Sequence, residues 1–252
     1  MSAYKGEQRR PLLTVQNVSI DYVADRQAPA RAVHDVSFTL HEGEVLGLVG
    51  ESGCGKSTLM LGLMRLLPAA GRIVSGQILL EEQDLLELPE REMADLRWKR
   101  IAMIFQGAMN ALNPVRTVGD QIAEAIRQHH VIQDGPAINR RVGELLELVG
   151  IASARRNQFP HQYSGGMRQR AMIAMALACA PDIVIADEPT TALDVMVQAQ
   201  ILQLLSDLRE QLNLSIILVT HDLGIVAELC DSVMVMYGGM TAEYASVDTI
   251  FN

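Results

Sequence analysis

At 252 residues the chain is longer than one minimal domain and shorter than two full ones; at roughly 150 residues per domain, that leaves one large domain or a core with a sub-domain. Hydrophobic residues make up 49% and charged residues 20%, an ordinary globular composition that excludes disorder, collagen-like repeats and coiled coil. Its 21 basic and 30 acidic residues give a net charge of −9, so the chain lacks the basic balance on which general nucleic-acid binding depends. Cys54, Cys179 and Cys230 are odd in number and far apart, with no CxxC pair. Neither a disulfide framework nor a zinc or iron–sulfur ligand set is indicated, which fits a reducing compartment. The longest uncharged apolar run, Ala171 to Ala180, has ten residues, against the ~18 needed to span a bilayer. Met1 to Arg10 is polar and lacks the apolar stretch of a signal peptide. The expectation is a soluble chain that is not exported by that route.

In chain order, residues 1–10 read as a loose tail. Leu12 to Tyr22 and Ala32 to Leu40 alternate as strands. Glu44 to Gly50 is a near-continuous apolar strand of the kind buried on both faces. A glycine-rich turn follows, then a helix from Ser57 to Leu67 stopped by Pro68. Ile101 to Phe105 is a second apolar strand ending at Gln106. From there to about Tyr163 the texture is helical, with apolar residues at helical spacing in Val118 to Arg127 and Arg140 to Val149. Helix Met167 to Ala180 leads to strand Ile183 to Ala186. Helix Gln198 to Gln211 leads to strand Ser215 to Thr220, and Ser232 to Tyr237 reads as a last strand. This alternation predicts a mainly parallel sheet with right-handed crossovers. The expected organisation is an α/β core of residues 11–106 and 167–252, with a helical sub-domain, residues 107–166, inserted into it.

Gly50-Glu-Ser52-Gly53-Cys54-Gly55-Lys56-Ser57, followed by Thr58, matches G-x-x-x-x-G-K-[ST] between a predicted strand and helix. Glycines let the backbone wrap around phosphate with its N–H groups inward, and the helix adds its positive end. Lys56 reaches the β/γ-phosphates in such a loop, and the Ser57 hydroxyl ligates Mg²⁺. With only three lysines in the chain, one at this position is hard to assign to chance. Ile183-Val-Ile-Ala-Asp187-Glu188 is a buried strand ending in two carboxylates that point different ways. Asp187 suits the magnesium shell and Glu188 suits activation of water. Gln106 and His221 also end strands, on the edge where doubly wound sheets bind ligands. Gln106 is placed to touch Mg²⁺ and water, His221 to hydrogen-bond the γ-phosphate. Tyr22 fits either stacking on adenine or an ordinary edge-strand tyrosine.

Tyr163-Ser164-Gly165-Gly166-Met167-Arg168-Gln169-Arg170 opens a different helix from the phosphate loop's. Ser164, Gly165 and Gly166 read as a second anion-binding helix start or as a plain N-cap with a glycine pair. In order along the chain, these motifs resemble the ATP-binding subunit of an ABC transporter, from Leu12 to about Tyr244. They are a Walker A loop, a Q-loop at Gln106, the signature Ser164-Gly-Gly-Met167, Walker B ending at Glu188, a D-loop at Ala192-Leu193-Asp194 and the switch His221. Phe105-Gln106-Gly-Ala-Met109-Asn-Ala-Leu112-Asn113-Pro114, Met167 itself and Glu188-Pro-Thr-Thr-Ala-Leu-Asp194-Val are similar to the peptide, nickel and oligosaccharide importer branch.

The resemblance implies an α/β P-loop NTPase (RecA-like) core with a mainly parallel sheet, an N-terminal antiparallel β region and an inserted helical sub-domain. It implies ATP and Mg²⁺ as ligands, with Ser57, Gln106 and Asp187 around the metal. Tyr22, Gly50, Ser52, Gly53, Cys54, Gly55, Lys56, Ser57 and Thr58 would contact nucleotide, and Glu188, His221, Gln106 and Lys56 would serve hydrolysis. It implies a head-to-tail pair of cassettes, identical or paralogous, in which Ser164, Gly165 and Gly166 complete the partner's ATP site. Two permeases and, indirectly, a solute-binding protein are the further partners, and the expected location is the cytoplasmic face of the inner membrane. Members of that branch usually carry a C-terminal extension, sometimes with cysteines for an iron–sulfur cluster; no cluster is carried over to this chain, whose last residue is Asn252. A soluble ABC ATPase acting on ribosomes or DNA is the alternative, disfavoured by the acidic charge and by the presence of neither a second cassette nor a long coiled coil. His129-His130 reads as a solvated pair rather than a metal site, for want of a third ligand, and Arg140-Arg141 and Arg155-Arg156 as surface charge, with contact to a permease as the alternative.

Overall fold

The computed structural model describes residues 9–23, 28–105, 107 and 111–251. Strands β1 (Pro11–Tyr22), β2 (Ala30–His41), β4 (Gly71–Leu80) and β5 (Gln83–Asp84) form an antiparallel sheet in the order β2-β1-β4-β5. The second sheet runs β10-β9-β3-β8-β7-β6, from β3 (Val45–Gly50), β6 (Ile101–Ile104), β7 (Ile183–Asp187), β8 (Ser215–Val219), β9 (Ser232–Tyr237) and β10 (Met240–Ser246). Its strands pair in parallel except for β10. The helices are α1 (Lys56–Leu63), α2 (Glu90–Leu96), α3 (Val118–Gln128), α4 (Gly135–Leu148), α5 (Gly165–Ala176), α6 (Val195–Leu212), α7 (Leu223–Leu229) and α8 (Val247–Phe251).

The period of two along a strand divides the core between the sheet's two faces. Ile101, Met103, Ile183, Ile185, Ile217, Val219, Leu46 and Leu48 point to one side and pack with the antiparallel sheet and α1. Ala102, Ile104, Val184, Ala186, Ile216 and Leu218 point to the other. There they join one continuous apolar cluster with Ile122 and Ile126 of α3, Val142 and Leu145 of α4, and Ile173 of α5. Strands β3, β6, β7 and β8 are buried on both faces, as their apolar runs require. The mixed sheets and layers are those of a P-loop NTPase core.

Several boundaries differ from the sequence reading. Helix α1 ends at Leu63, not Leu67, because Met64 caps it and Arg65 turns into the left-handed region at φ 50; Pro68 is not the stop. Strand β4 carries Arg72, Ser75, Gly76 and Gln77 on an exposed stretch, so it shows no apolar alternation to read. Ser232–Tyr237 is not the last strand, since the Gly238-Gly239 turn folds β10 back against it. Helices α2 and α7, seven residues each, are too short for helical periodicity to stand out. Among the described residues no helix is long and apolar enough to cross a membrane.

Candidate functional site

Strands β3, β7 and β8 are neighbours in the parallel sheet, and their C-terminal ends bring the phosphate loop, the carboxylate pair and His221 to one edge. The loop leaves β3 at Gly50, whose φ is 153. A Cβ there would lie 2.2 Å from the Met236 carbonyl oxygen and 2.7 Å from Cys54 Sγ, so only glycine fits between the loop and β9. Gly55, left-handed at φ 103, starts α1 without a side-chain cap. The first-turn N–H groups of α1 therefore stay available to an anion. Lys56 is only 7% exposed, and its ammonium donates to the carbonyls of Gly50 at 2.7 Å and Glu51 at 2.9 Å. Cys54 Sγ lies 3.6 Å from the same ammonium.

Asp187, 5% exposed at the end of β7, shares a side-chain hydrogen bond with Ser57. Burial pushes its carboxyl above the usual range and the charge of Glu188 adds to that, while Ser57 and Lys56 pull the other way. A buried carboxylate beside a hydroxyl, held in an unfavourable charged form, is a hard-oxygen pair suited to Mg²⁺. Glu188 follows in the left-handed region at φ 45, with its N–H donating to Val219 O at 2.9 Å. One carboxylate oxygen, Oε1, lies 3.4 Å from His221 Nδ1. The other, Oε2, accepts from Thr191 Oγ1 at 2.8 Å. His221 is 72% exposed at the side chain, which leaves it accessible from the open side of the site.

Tyr22 ends β1 beside the loop, its hydroxyl 3.3 Å from Thr58 Oγ1. A cavity of about 330 Å³ lies between these groups, lined by Tyr22, Ala32, Ser52, Gly53, Gly55, Lys56, Ser57, Thr58 and Glu188. Such a volume is of the size that takes a small ligand. Gln106 lies outside the described residues. Thr191 and Ala32 join the site without having been singled out from the sequence. Thr191 was legible in principle, since it stands three positions after Glu188, the spacing of a hydrogen-bonded turn.

Ser164, Gly165 and Gly166 do not line that cavity. Ser164 caps α5, its hydroxyl accepting from Met167 N at 3.3 Å. Gly166 packs against α6, where a Cβ would come within 2.7 Å of Val197 Cγ1. Asp194 caps α6 through Val197 N at 3.0 Å. Arg155 is not simply surface charge. Its guanidinium lies 5.7 Å over the Tyr163 ring and 3.4 Å from Met167 Sδ, and Tyr163 Oη donates to the Arg155 carbonyl at 3.1 Å. These contacts brace the start of α5. Nor is His129 a solvated residue: it is buried, with its ring edge-on to Trp98 at 5.6 Å. Burial, helped by the charge of Lys99, lowers its pKa. Among the described residues no group of three or more His, Cys, Asp or Glu side chains could hold a metal ion.

Residues 33–191 match the family described as ABC transporter. The "Probable peptide ABC transporter ATP-binding protein y4tR" of Sinorhizobium fredii is 50% identical over 243 residues, 95% of this chain and 72% of that protein. The dipeptide transport ATP-binding protein DppD of Bacillus subtilis is 48% identical over the same shares of the two chains. Among solved structures, the dimeric post-hydrolysis state of the ATP-binding cassette MJ0796 bound to ADP and Pi superposes with a TM-score of 0.82. The sequence identity is 27%, and the match covers 94% of this chain and 99% of that one. The phosphate loop, the acidic strand end and the likeness over nearly the whole length lead to one conclusion: the chain belongs to the ABC transporter family, as an ATP-binding subunit whose ATPase activity is coupled to transport.

Proposed function

We propose that the chain powers a peptide importer. The observation that carries this reading is its identity of 48 to 50% with ATP-binding proteins named for peptide and dipeptide transport. ATP sits in the cavity with its phosphates on the α1 N-terminus and Lys56, and its adenine beside Tyr22. Ser57 and Asp187, with Gln106, would hold Mg²⁺, which would supply neutralisation of the phosphate charge. Glu188 accepts a proton from the attacking water, while Lys56 and His221 stabilise charge on the transferring phosphoryl group.

Ser164, Gly165 and Gly166 close over the γ-phosphate bound by a second ABC cassette, which in turn closes over this one. Their position away from the chain's own cavity supports that arrangement, as does the dimeric form of the MJ0796 cassette. Residues 107–166 act as the lever that passes closure to two permeases at the cytoplasmic face of the membrane, and a solute-binding protein delivers peptide outside. A tagged copy recovered from detergent-solubilised membranes should bring two permeases and a second ATPase. Vesicles holding that assembly and the binding protein should accumulate labelled peptides when given ATP. Recovery only from the soluble fraction, with ribosomes or DNA, would overturn the transport reading while leaving the ATP chemistry intact.

A further inference from the structure

Thr191 belongs neither to the phosphate loop nor to the signature, yet it touches the proposed base directly. Glu188 to Thr191 closes as a turn, with Thr191 N–H donating to the Glu188 carbonyl at 3.2 Å. Its side chain closes a second link, Oγ1 donating to Glu188 Oε2 at 2.8 Å. Glu188 itself occupies a backbone region that residues with a Cβ adopt only at a cost. The main chain is held at Val219 and at Thr191, and Thr191 and His221 are two of the groups that the carboxylate meets. Thr191 engages Oε2; Oε1 lies on the His221 side, and Glu188 borders the nucleotide cavity. A hydroxyl suits this task because it donates a hydrogen bond without cancelling the negative charge a base needs. The β-branched side chain narrows the rotamers over which that hydroxyl is presented.

We propose that Thr191 is a positioning residue for ATP hydrolysis: its hydroxyl holds Oε2 so that Oε1 receives the proton of the attacking water. The water oxygen bonds to the γ-phosphorus as its proton passes to Oε1. The bond to the bridging oxygen breaks, and its electron pair leaves with ADP. This inference rests on the reading of Glu188 as the base.

The test is steady-state ATPase activity of the assembled transporter over a range of MgATP, for wild type, T191V, T191A, T191S and E188Q. Both variants without the hydroxyl should lose about tenfold in kcat, with KM within about twofold, the pattern of an interaction that acts on the chemical step. T191S should recover to within about threefold of wild type, and T191V added to E188Q should cost nothing further. Thr191 is exposed, so the fold of the chain should survive the three substitutions at that position. Wild-type kcat in T191V and T191A would overturn the proposal. So would a rise in kcat, which would make the hydroxyl a restraint rather than a guide, or a loss in T191S equal to that in T191V. E188Q turning over at the wild-type rate would be a different failure: it would remove the base reading itself, and the role of Thr191 with it.

Discussion

Two helices in this chain begin with glycine-rich, phosphate-compatible turns, and their surroundings differ. The start of α1 is lined by several segments of its own chain. Tyr22 and Ala32 come from the antiparallel sheet, Glu188 from the neighbouring strand end, and Lys56 is folded into the loop. The start of α5 has a serine cap and a brace from Arg155 and Tyr163, and its residues do not line the cavity at α1. Beyond it, the first residues of α6, Val195 and Met196, are 78% and 73% exposed. One helix start carries a cavity with a buried lysine beside it; in the reading proposed above, the other is half of a phosphate cradle. That difference is what a site shared between two cassettes requires.

The first way to break this comparison is to disable the cradle at α1. Lys56→Ala should lower ATP turnover by at least roughly 10²-fold, the scale of losing a preorganised charge at a developing phosphate. Glu188→Gln should cost roughly 10²–10⁴-fold in kcat, the range for general-base catalysis, while a fluorescent ATP analogue binds as before. Retained turnover in either variant would mean that the cradle is not the catalytic one.

Asp187 sharpens the contrast from the side of stability. Burial raises its carboxyl pKa in the folded chain, so ionising it is harder there than in the unfolded chain and its charge costs stability at neutral pH. Asp187→Asn should raise Tm without nucleotide, yet gain less from MgATP than wild type does. A lower Tm in the variant would contradict the desolvation argument.

The smallest effect lies away from both helix starts, at His129. Its pKa in the fold is lowered from 6.5, chiefly by burial. The unfolded chain therefore binds more protons between the folded value and 6.5, and stability falls as the pH drops through that window. Thermal melts at pH 7.5 and 5.5 should show a larger loss for wild type than for His129→Gln. Equal losses would show that His129 does not carry the dependence.

The parts of this molecule legible in the sequence are those where one local requirement dominates. The strand Ile183 to Asp187 is apolar at every position but its last because both faces are covered, and Gly50 to Ser57 carries a spacing that phosphate binding imposes. Strand β4 was not legible, since it is held by pairing with β1 rather than by burial of its own middle. Thr191 was not singled out in the sequence because its contact depends on a turn that brings its hydroxyl back to Glu188. His129 read as solvated because Trp98, its partner, is distant in sequence and meets it only through the fold. Arg155 was misjudged for the same reason, since Met167 and Tyr163 give it partners that local charge does not reveal.

The most direct measurement of the shared-site claim uses Ser164→Asp. Aspartate is as good an N-cap as serine, so α5 should keep its start while a negative charge is set where a partner's γ-phosphate would lie. ATP affinity of the isolated chain and ATP turnover of the assembled transporter are then measured side by side. Unchanged affinity with turnover reduced to background is the result expected if residues 164–166 serve the partner's nucleotide. Loss of affinity in the isolated chain would place the segment in its own site, and wild-type turnover in the assembly would leave it serving no nucleotide at all.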